Sequence, residues 1–338
     1  MKERFNLYKH IMNGLSYTLP LVVAGGLLIA MTTYGLFSDQ FPYLHDTGLR
    51  LLEYTYPILA CYIAYSIADR PGIAPGIIAG ALAYTGESYF LGAILGGFAA
   101  GYTIEIIKWL FSKWPKSMTS LKPMLIFPLL GVLLTSIIML GINFVMSPFS
   151  LWLIEAMTNL SGIALIITCL ILGALMAFDL GGPINKIAFL IGLISVVHVH
   201  DSIMMAAVMV AGMTPPLAIA LSLMIFQCDF SELEIKQRKQ TLLMGLSFIS
   251  EGAVPFVKTY KKVIHIPMII GSMFGAFMVA MLQTTLPAPH GGIFILLWTP
   301  SWSTFLLALA SGAALSTLLI KFSMMIVKRK PSPAPTQS

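Results

Sequence analysis

One carboxylate lies in a largely apolar stretch and is the strongest candidate for chemistry. Glu251 falls within Phe248–Phe256, a short segment interrupted by a glycine and a proline. A carboxylate accepts hydrogen bonds from two neighbouring hydroxyls, as on a sugar, and it can take a proton from a reacting hydroxyl. We predict that Glu251 and the adjoining Ser250 bind substrate. The alternative is an interfacial carboxylate that pairs with Lys258 or Lys262.

A second group of polar residues lies in a glycine-rich turn. It comprises Asp179, Gly181, Gly182, Asn185 and Lys186, with a proline suited to the first turn of a following helix. Such a helix start offers free N–H groups and the positive end of the helix dipole to an anion or a hydroxyl. Asp179 and Lys186 can also pair and hold the turn closed. The pattern is as typical of a structural turn as of a binding site.

Histidine supplies the third candidate. His290 lies in the turn Pro289–Gly292, and its ring can donate and accept hydrogen bonds toward a sugar. The alternative is a loop histidine that faces external water. His198 and His200 precede Asp201, but residues two apart on a helix point to different sides, so this group does not predict a metal site. The sequence indicates no metal and no cofactor.

The composition indicates what kind of protein carries these residues. Only 10% of the 338 residues are charged and 57% are hydrophobic, against roughly 25% charged in soluble domains. Several runs exceed the ~18 apolar residues of a membrane-spanning candidate; they are Ile11–Ser38, Pro123–Ile154, Ala156–Phe178, Ser202–Cys228 and Ile266–Pro289. These runs exclude a soluble enzyme, a disulfide-stabilised secreted protein and a nucleic-acid-binding protein.

The distribution of charge predicts the topology. Basic residues precede the first span and follow the last, so both termini are predicted to be cytoplasmic and the number of spans to be even. We predict an all-α membrane protein with about ten transmembrane helices and re-entrant hairpins beside them. An external loop is expected at 38–54, a cytoplasmic corner at Asp69–Gly72, an external turn at Ser147-Pro148, and an interruption at Pro215-Pro216.

The C-terminal half is less regular than the N-terminal half. In a single membrane domain of residues 1–330, residues 13–150 are predicted to form ordinary spans, whereas 151–327 contain broken helices; 331–338 are predicted to be a disordered tail. Irregular backbone at membrane depth is tolerated where it is buried in protein or lines a watery cavity, and carriers use it around substrate. The substrate site is therefore predicted between residues 179 and 292. No phosphate-binding loop of ATP-driven pumps is present.

Several segments together resemble the membrane IIC component of fructose-type sugar permeases in the bacterial phosphoenolpyruvate-dependent phosphotransferase system. The resemblance extends from Asn13 to about Val327. Its markers are Gly14–Gly26, Ile67–Gly76, Met176–Lys186, Ser250–Phe256 and Pro287–Gly292. Ser250 is a small departure, because the family usually has threonine before the glutamate, but the change retains the hydroxyl.

The resemblance implies a homodimeric carrier of the cytoplasmic membrane with a scaffold domain and a transport domain that moves like an elevator. It implies binding of fructose or a fructose-like sugar, which the phosphocysteine of a IIB protein then phosphorylates. Glu251 is similar to the hairpin glutamate that holds the reacting sugar in related permeases, and His290 is a further carry-over. The chain then acts as the membrane subunit of a phosphotransferase, with no phosphoryl-carrying residue of its own.

No IIB-like cysteine loop and no IIA-like histidine domain is recognisable in the sequence, so IIA and IIB are expected to be separate proteins. One alternative is an ion-coupled sugar transporter that leaves its substrate unmodified. Another is a membrane enzyme that acts on lipid with Glu251 and His290 as acid and base. Both alternatives also accommodate an intramembrane carboxylate among broken helices.

Overall fold

The computed structural model describes residues 6–34, 41–114, 121–199 and 201–329, which are mostly helical. Within these ranges the helices are α1 Leu7–Tyr34, α2 Pro42–Ala68, α3 Ile73–Thr85, α4 Tyr89–Leu110, α5 Phe127–Thr158, α6 Gly162–Phe178, α7 Pro183–Val199, α8 Ile203–Ile225, α9 Glu232–Lys236, α10 Arg238–Leu246, α11 Val254–Met281 and α12 Trp302–Arg329. The prediction of an all-α fold is confirmed for the described residues, where an isolated β-bridge joins Ser202 to Leu286.

Six of the described helices are long and apolar enough to cross a membrane. They are α1, α4, α5, α8, α11 and α12, while α6 and α7 are apolar but shorter. A multi-pass membrane protein is thereby supported. The count of about ten spans stays a prediction.

The first of two compact units is made almost entirely of residues up to Asn159. Its α2 begins at Pro42, so much of the external loop predicted at 38–54 is helical instead. Proline suits a first helical turn because its φ is already helical and its missing N–H is not needed there. Glu53, predicted to lie in that loop, accepts a hydrogen bond from the Tyr84 hydroxyl at 2.8 Å. The carboxylate of Glu53, which favoured a loop in the sequence, is therefore accommodated within the packed helix α2.

Helix α5 runs through Ser147-Pro148 without a break, so the turn predicted there is wrong. Membrane helices tolerate an internal proline when neighbouring groups satisfy the freed backbone. Close by, the Ser150 hydroxyl donates to the Ser88 carbonyl at 2.9 Å, which anchors this part of α5. Helix α5 ends at Thr158 and α6 begins at Gly162, whose φ of +55° favours glycine.

The second unit is made of residues from Leu160 onward and is built around α8. Helices α6, α7, α10, α11 and α12 all pack against α8, and 83% of its most apolar stretch is buried. It stays helical across Pro215-Pro216, so the interruption predicted there is wrong. Because proline has no N–H, each of these prolines leaves the carbonyl four residues earlier without its helical donor.

The polar segment 231–240 forms α9 and the start of α10. A capping box between Ser231 and Glu234 starts α9. The Tyr260 hydroxyl of α11 donates to Glu234 at 3.0 Å, and burial together with that carboxylate raises the pKa of Tyr260. This polar end is thereby tied to the helices that follow it.

Candidate functional site

Asp179 closes the turn between α6 and α7. Its carboxylate accepts hydrogen bonds from the backbone N–H groups of Ile184 at 2.7 Å and Asn185 at 2.9 Å. These are N–H groups of the first turn of α7, which lack intrahelical partners. The expectation that this helix start offers free N–H groups to substrate therefore needs correction, because Asp179 already occupies two of them.

The rest of the turn is held by its own residues. Asn185 is buried and its side-chain amide donates to the Met176 carbonyl at 2.6 Å, which ties α7 to the end of α6. Lys186 is half-buried. Among the described residues, Lys186 forms no ion pair with Asp179, so the predicted pairing is not what closes the turn; the carboxylate bonds to backbone instead.

The two glycines of the turn permit close approach of acidic side chains. Gly181 has a φ of +97°, and a Cβ added there would collide with the carboxylate of Glu251. A Cβ on Gly182 would meet the carboxylate of Asp179. The structure therefore brings two of the predicted segments together, with Glu251 lying against the backbone of the α6–α7 turn.

Glu251 belongs to a single 3₁₀ turn, Ser250–Ala253, that leads directly into α11. Its side chain is exposed on the second unit, although its carboxylate adjoins Gly181. Within the part of the chain that is described, no ion pair joins it to Lys258; the side chain of Lys262, the other alternative partner, lies outside that part. A carboxylate in this position is available to an external ligand.

Ser250 points away from the exposed surface. It is 3% exposed, and its hydroxyl donates to the carbonyl of Gly212 in α8 at 2.9 Å. A Cβ on Gly212 would collide with the Phe248 ring and crowd the Ser250 hydroxyl. The absence of a side chain at Gly212 thus allows the segment before Glu251 to pack directly on α8.

His290 lies between α11 and α12, outside both helices, and its ring is half-buried. Its Nδ1 accepts a hydrogen bond from the Gly291 N–H at 2.8 Å, so in the neutral ring the proton is on Nε2. The ring contacts Phe248 at 5.0 Å and Phe189 at 6.4 Å between centroids. Burial lowers the pKa of His290 to about 4, so the ring is a neutral donor through Nε2 near pH 7.

Gly292, which also has a positive φ, allows the turn that carries His290 to approach the segment before Glu251. Gly292 has a φ of +56°, and a Cβ there would collide with the carbonyl of Leu246. The turn that carries His290 therefore packs against the segment that carries Phe248 and leads to Glu251. Three stretches that are far apart in sequence, around residues 181, 251 and 290, meet within the second unit.

Comparison with known proteins identifies the family of the chain. The family model "Phosphotransferase system, EIIC" matches residues 12–272 of the chain. The chain belongs to this family. The resemblance noted from the sequence is thereby confirmed.

Several curated relatives extend the comparison. The EIIC chain is 37% identical over 300 residues to "Fructose permease IIC component" of Bacillus amyloliquefaciens, covering 88% of this chain and 97% of the relative. It is 35% identical over 328 residues to "PTS system fructose-specific EIIABC component" of Bacillus subtilis (strain 168), covering 93% of this chain. The chain spans about half of that longer relative, 51% of its length. No solved structure gives a significant match.

Some residues around the candidate site carry no distinguishing signal in the sequence. Phe189 and Phe248 lie in apolar sequence typical of a core, although both rings contact His290. Gly212 also carries no such signal, because the hydrogen bonding of its carbonyl depends on Pro216, four residues later. Among the described residues, no group of three or more His, Cys, Asp or Glu side chains is placed to hold a metal; His200 lies outside those residues.

Proposed function

We propose that this EIIC chain binds fructose or a fructose-like sugar, moves it across the cytoplasmic membrane and presents it for phosphorylation by the phosphocysteine of a IIB protein. The observation that carries the proposal is the exposed carboxylate of Glu251 against the backbone of Gly181, in the unit where the broken segments meet. The names of the relatives, which include fructose-specific and fructose permease components, support the choice of substrate class.

Glu251 has the chemistry to hold a sugar and to assist its phosphorylation. Its two oxygens accept hydrogen bonds from neighbouring hydroxyls, while the Nε2–H of His290 donates to a sugar oxygen. In the transfer step the sugar oxygen forms a bond to phosphorus, the phosphorus–sulfur bond of the phosphocysteine breaks, and the cysteine leaves as a thiolate. The hydroxyl proton passes to Glu251. Positioning and charge stabilisation dominate phosphoryl transfer, so a well-placed carboxylate can suffice on the membrane side.

The proposed transport step follows from where the site residues lie. Asp179, Gly181, Glu251 and His290 all belong to the second compact unit. A unit that carries its whole binding site can move as one body without dismantling the site. We therefore propose that the second unit is the transport domain, that the first is the scaffold, and that the protein works as a homodimer with both termini in the cytoplasm.

The partner is proposed to be a separate IIB protein, itself phosphorylated by IIA. One relative is named a IIC component and another an EIIABC component, and the proposed transfer needs the IIB phosphocysteine in either arrangement. The experiment uses the purified chain in vesicles with phosphorylated IIB enclosed and labelled fructose outside. Internal sugar phosphate is expected. Free internal sugar that depends on an ion gradient would support an ion-coupled transporter, and failure of any hexose to bind would favour an enzyme acting on lipid.

The matched variant is Glu251→Gln, which retains size and removes charge. It is expected to abolish sugar phosphorylation while the protein still folds and elutes as the wild type does. Because charge-assisted hydrogen bonds contribute about 1.5–3 kcal/mol each, sugar binding should weaken by roughly tenfold or more. Wild-type uptake by this variant would reject the role of Glu251. Lys258→Gln, at an exposed position near the start of α11, serves as the control for a nearby charge change.

A further inference from the structure

The double proline in α8 leaves two buried carbonyls without their helical partners. In an α-helix the N–H of each residue donates to the carbonyl four residues earlier, and proline has no N–H. Pro215 and Pro216 therefore free the carbonyls of Ala211 and Gly212. Both residues are buried in a helix that is continuous across this point. A buried carbonyl without a donor is costly, so each one requires a replacement.

The replacements are two serine hydroxyls from different parts of the second unit. Ser272 of α11 donates to the Ala211 carbonyl at 2.9 Å, and Ser250 donates to the Gly212 carbonyl at 2.9 Å. Both serines are almost fully buried, at 0% and 3% exposure. Each proline thus creates an acceptor, and each acceptor binds one serine.

The second of these bonds lies next to the site. Ser250 precedes Glu251 in the same 3₁₀ turn, and Gly212 lacks the side chain that would push Phe248 and Ser250 away. Pro216 also packs close to Gly252, where a Cβ would lie 3.2 Å from the proline Cβ. The turn that presents Glu251 is therefore fastened to α8 on both sides of that residue.

We infer that Pro216, Gly212 and Ser250 form a positioning device that holds Glu251 against the α6–α7 turn. Ser250 is then a positioning residue rather than a sugar ligand, since its proton is committed to the Gly212 carbonyl. This revises the substrate-binding role predicted for Ser250, and its consequence for sugar rests on the proposed function of Glu251. The bond from the Ser272 hydroxyl to the Ala211 carbonyl, which Pro215 frees, is a second, equivalent bond that fastens α11 to α8 without adjoining Glu251.

The first test separates positioning from general stability. Ser250→Ala is expected to lower kcat/KM for sugar phosphorylation by about tenfold, the factor for loss of one buried hydrogen bond. Ser250→Thr retains the hydroxyl and should stay within about twofold of the wild type on the same reasoning. Ser272→Ala loses the same kind of bond, so its thermal midpoint should fall similarly while its kcat/KM stays near the wild-type value. Equal kinetic losses in Ser250→Ala and Ser272→Ala, or no recovery with threonine, would overturn the inference.

The second test uses the prolines and needs no sugar. Pro216→Ala keeps the Cβ and supplies an N–H to the Gly212 carbonyl, so it should reduce the stability loss caused by Ser250→Ala but not that caused by Ser272→Ala. Pro215→Ala should do the reverse. Thermal unfolding of the full chain in detergent measures both cycles. Additive effects in both cycles would overturn the inference. Equal rescue of both serine variants by the same proline variant would also overturn it.

These outcomes remain decisive if a single variant does not fold. A Ser250→Ala chain that is recovered only together with Pro216→Ala supports the inference, and a double variant that also fails overturns it. The unfolding cycles are independent of the sugar site. If Glu251→Gln binds sugar normally, the proposed function fails, while crossed rescue between the prolines and serines can still be observed.

Discussion

Replacement of Gly181 by alanine tests the contact that places Glu251. Gly181 has a φ of +97°, where an alanine side chain is strained by about 1–3 kcal/mol. The new Cβ would also collide with the Glu251 carboxylate, so that side chain must move away from the α6–α7 turn. If the displacement costs one charge-assisted hydrogen bond to sugar, about 1.5–3 kcal/mol, binding weakens by roughly ten- to a hundredfold.

Gly162 provides the matched control, because it belongs to the same unit and also has a positive φ. Its φ is +55°, and a Cβ there would meet nothing within 4 Å. Gly162→Ala should therefore lower stability by about 1–2 kcal/mol through backbone strain alone. Its sugar affinity should be unchanged.

The assay is equilibrium binding of labelled fructose to purified protein in detergent, paired with thermal unfolding of the same samples. Both variants should unfold at a lower temperature than the wild type, but only Gly181→Ala should lose affinity. Wild-type affinity in Gly181→Ala would show that Glu251 does not hold sugar from its position beside the turn. Equal losses of affinity in both variants would attribute the effect to strain.

Two further predictions concern the groups that support the site. Asp179→Ala removes both hydrogen bonds to the start of α7 and should cost about 0.5–2 kcal/mol of stability in chemical unfolding, with Asp179→Asn costing less because one acceptor oxygen remains; an alanine variant as stable as the wild type would contradict the capping role. His290 has its folded pKa lowered from 6.5 to about 4, so as pH falls through this window the unfolded chain takes up a proton that the folded ring does not. The free energy of unfolding should therefore decrease between about pH 6.5 and 4 more steeply than in His290→Gln, and parallel pH profiles would count against a buried neutral ring.

Local sequence patterns were sufficient to predict the class of fold and to identify the segments of the candidate site. Long uncharged runs predicted α1, α5 and α8 because burial of apolar length in a bilayer needs no knowledge of tertiary contacts. The segments around residues 181, 251 and 290 were also identified, since glycine, proline and isolated polar residues interrupt otherwise apolar sequence. Their mutual contacts are consistent with a common site.

The errors arose where a local signal was outweighed by contacts from distant sequence. Pro148 and the pair Pro215-Pro216 predict breaks, yet α5 and α8 continue through them. In α8 the freed carbonyls receive hydroxyls from residues about 38 and 61 positions away, which no local pattern reveals. The rule that proline frees the carbonyl four residues earlier would have pointed to Ala211 and Gly212, but not to their donors.

The polar groups around the site divide into those used by the protein and those left for a ligand. Asp179 accepts from the first turn of α7, Asn185 donates to Met176, and Ser250 donates to Gly212. Each of these bonds satisfies a backbone group that irregular structure had exposed, as a membrane-embedded unit requires. Among the described residues of these segments, the Glu251 carboxylate and the Nε2–H of His290 are not used in this way. We propose that this acceptor pair and this neutral donor, each held by a separately fastened turn, are the groups that bind a small polyhydroxylated ligand.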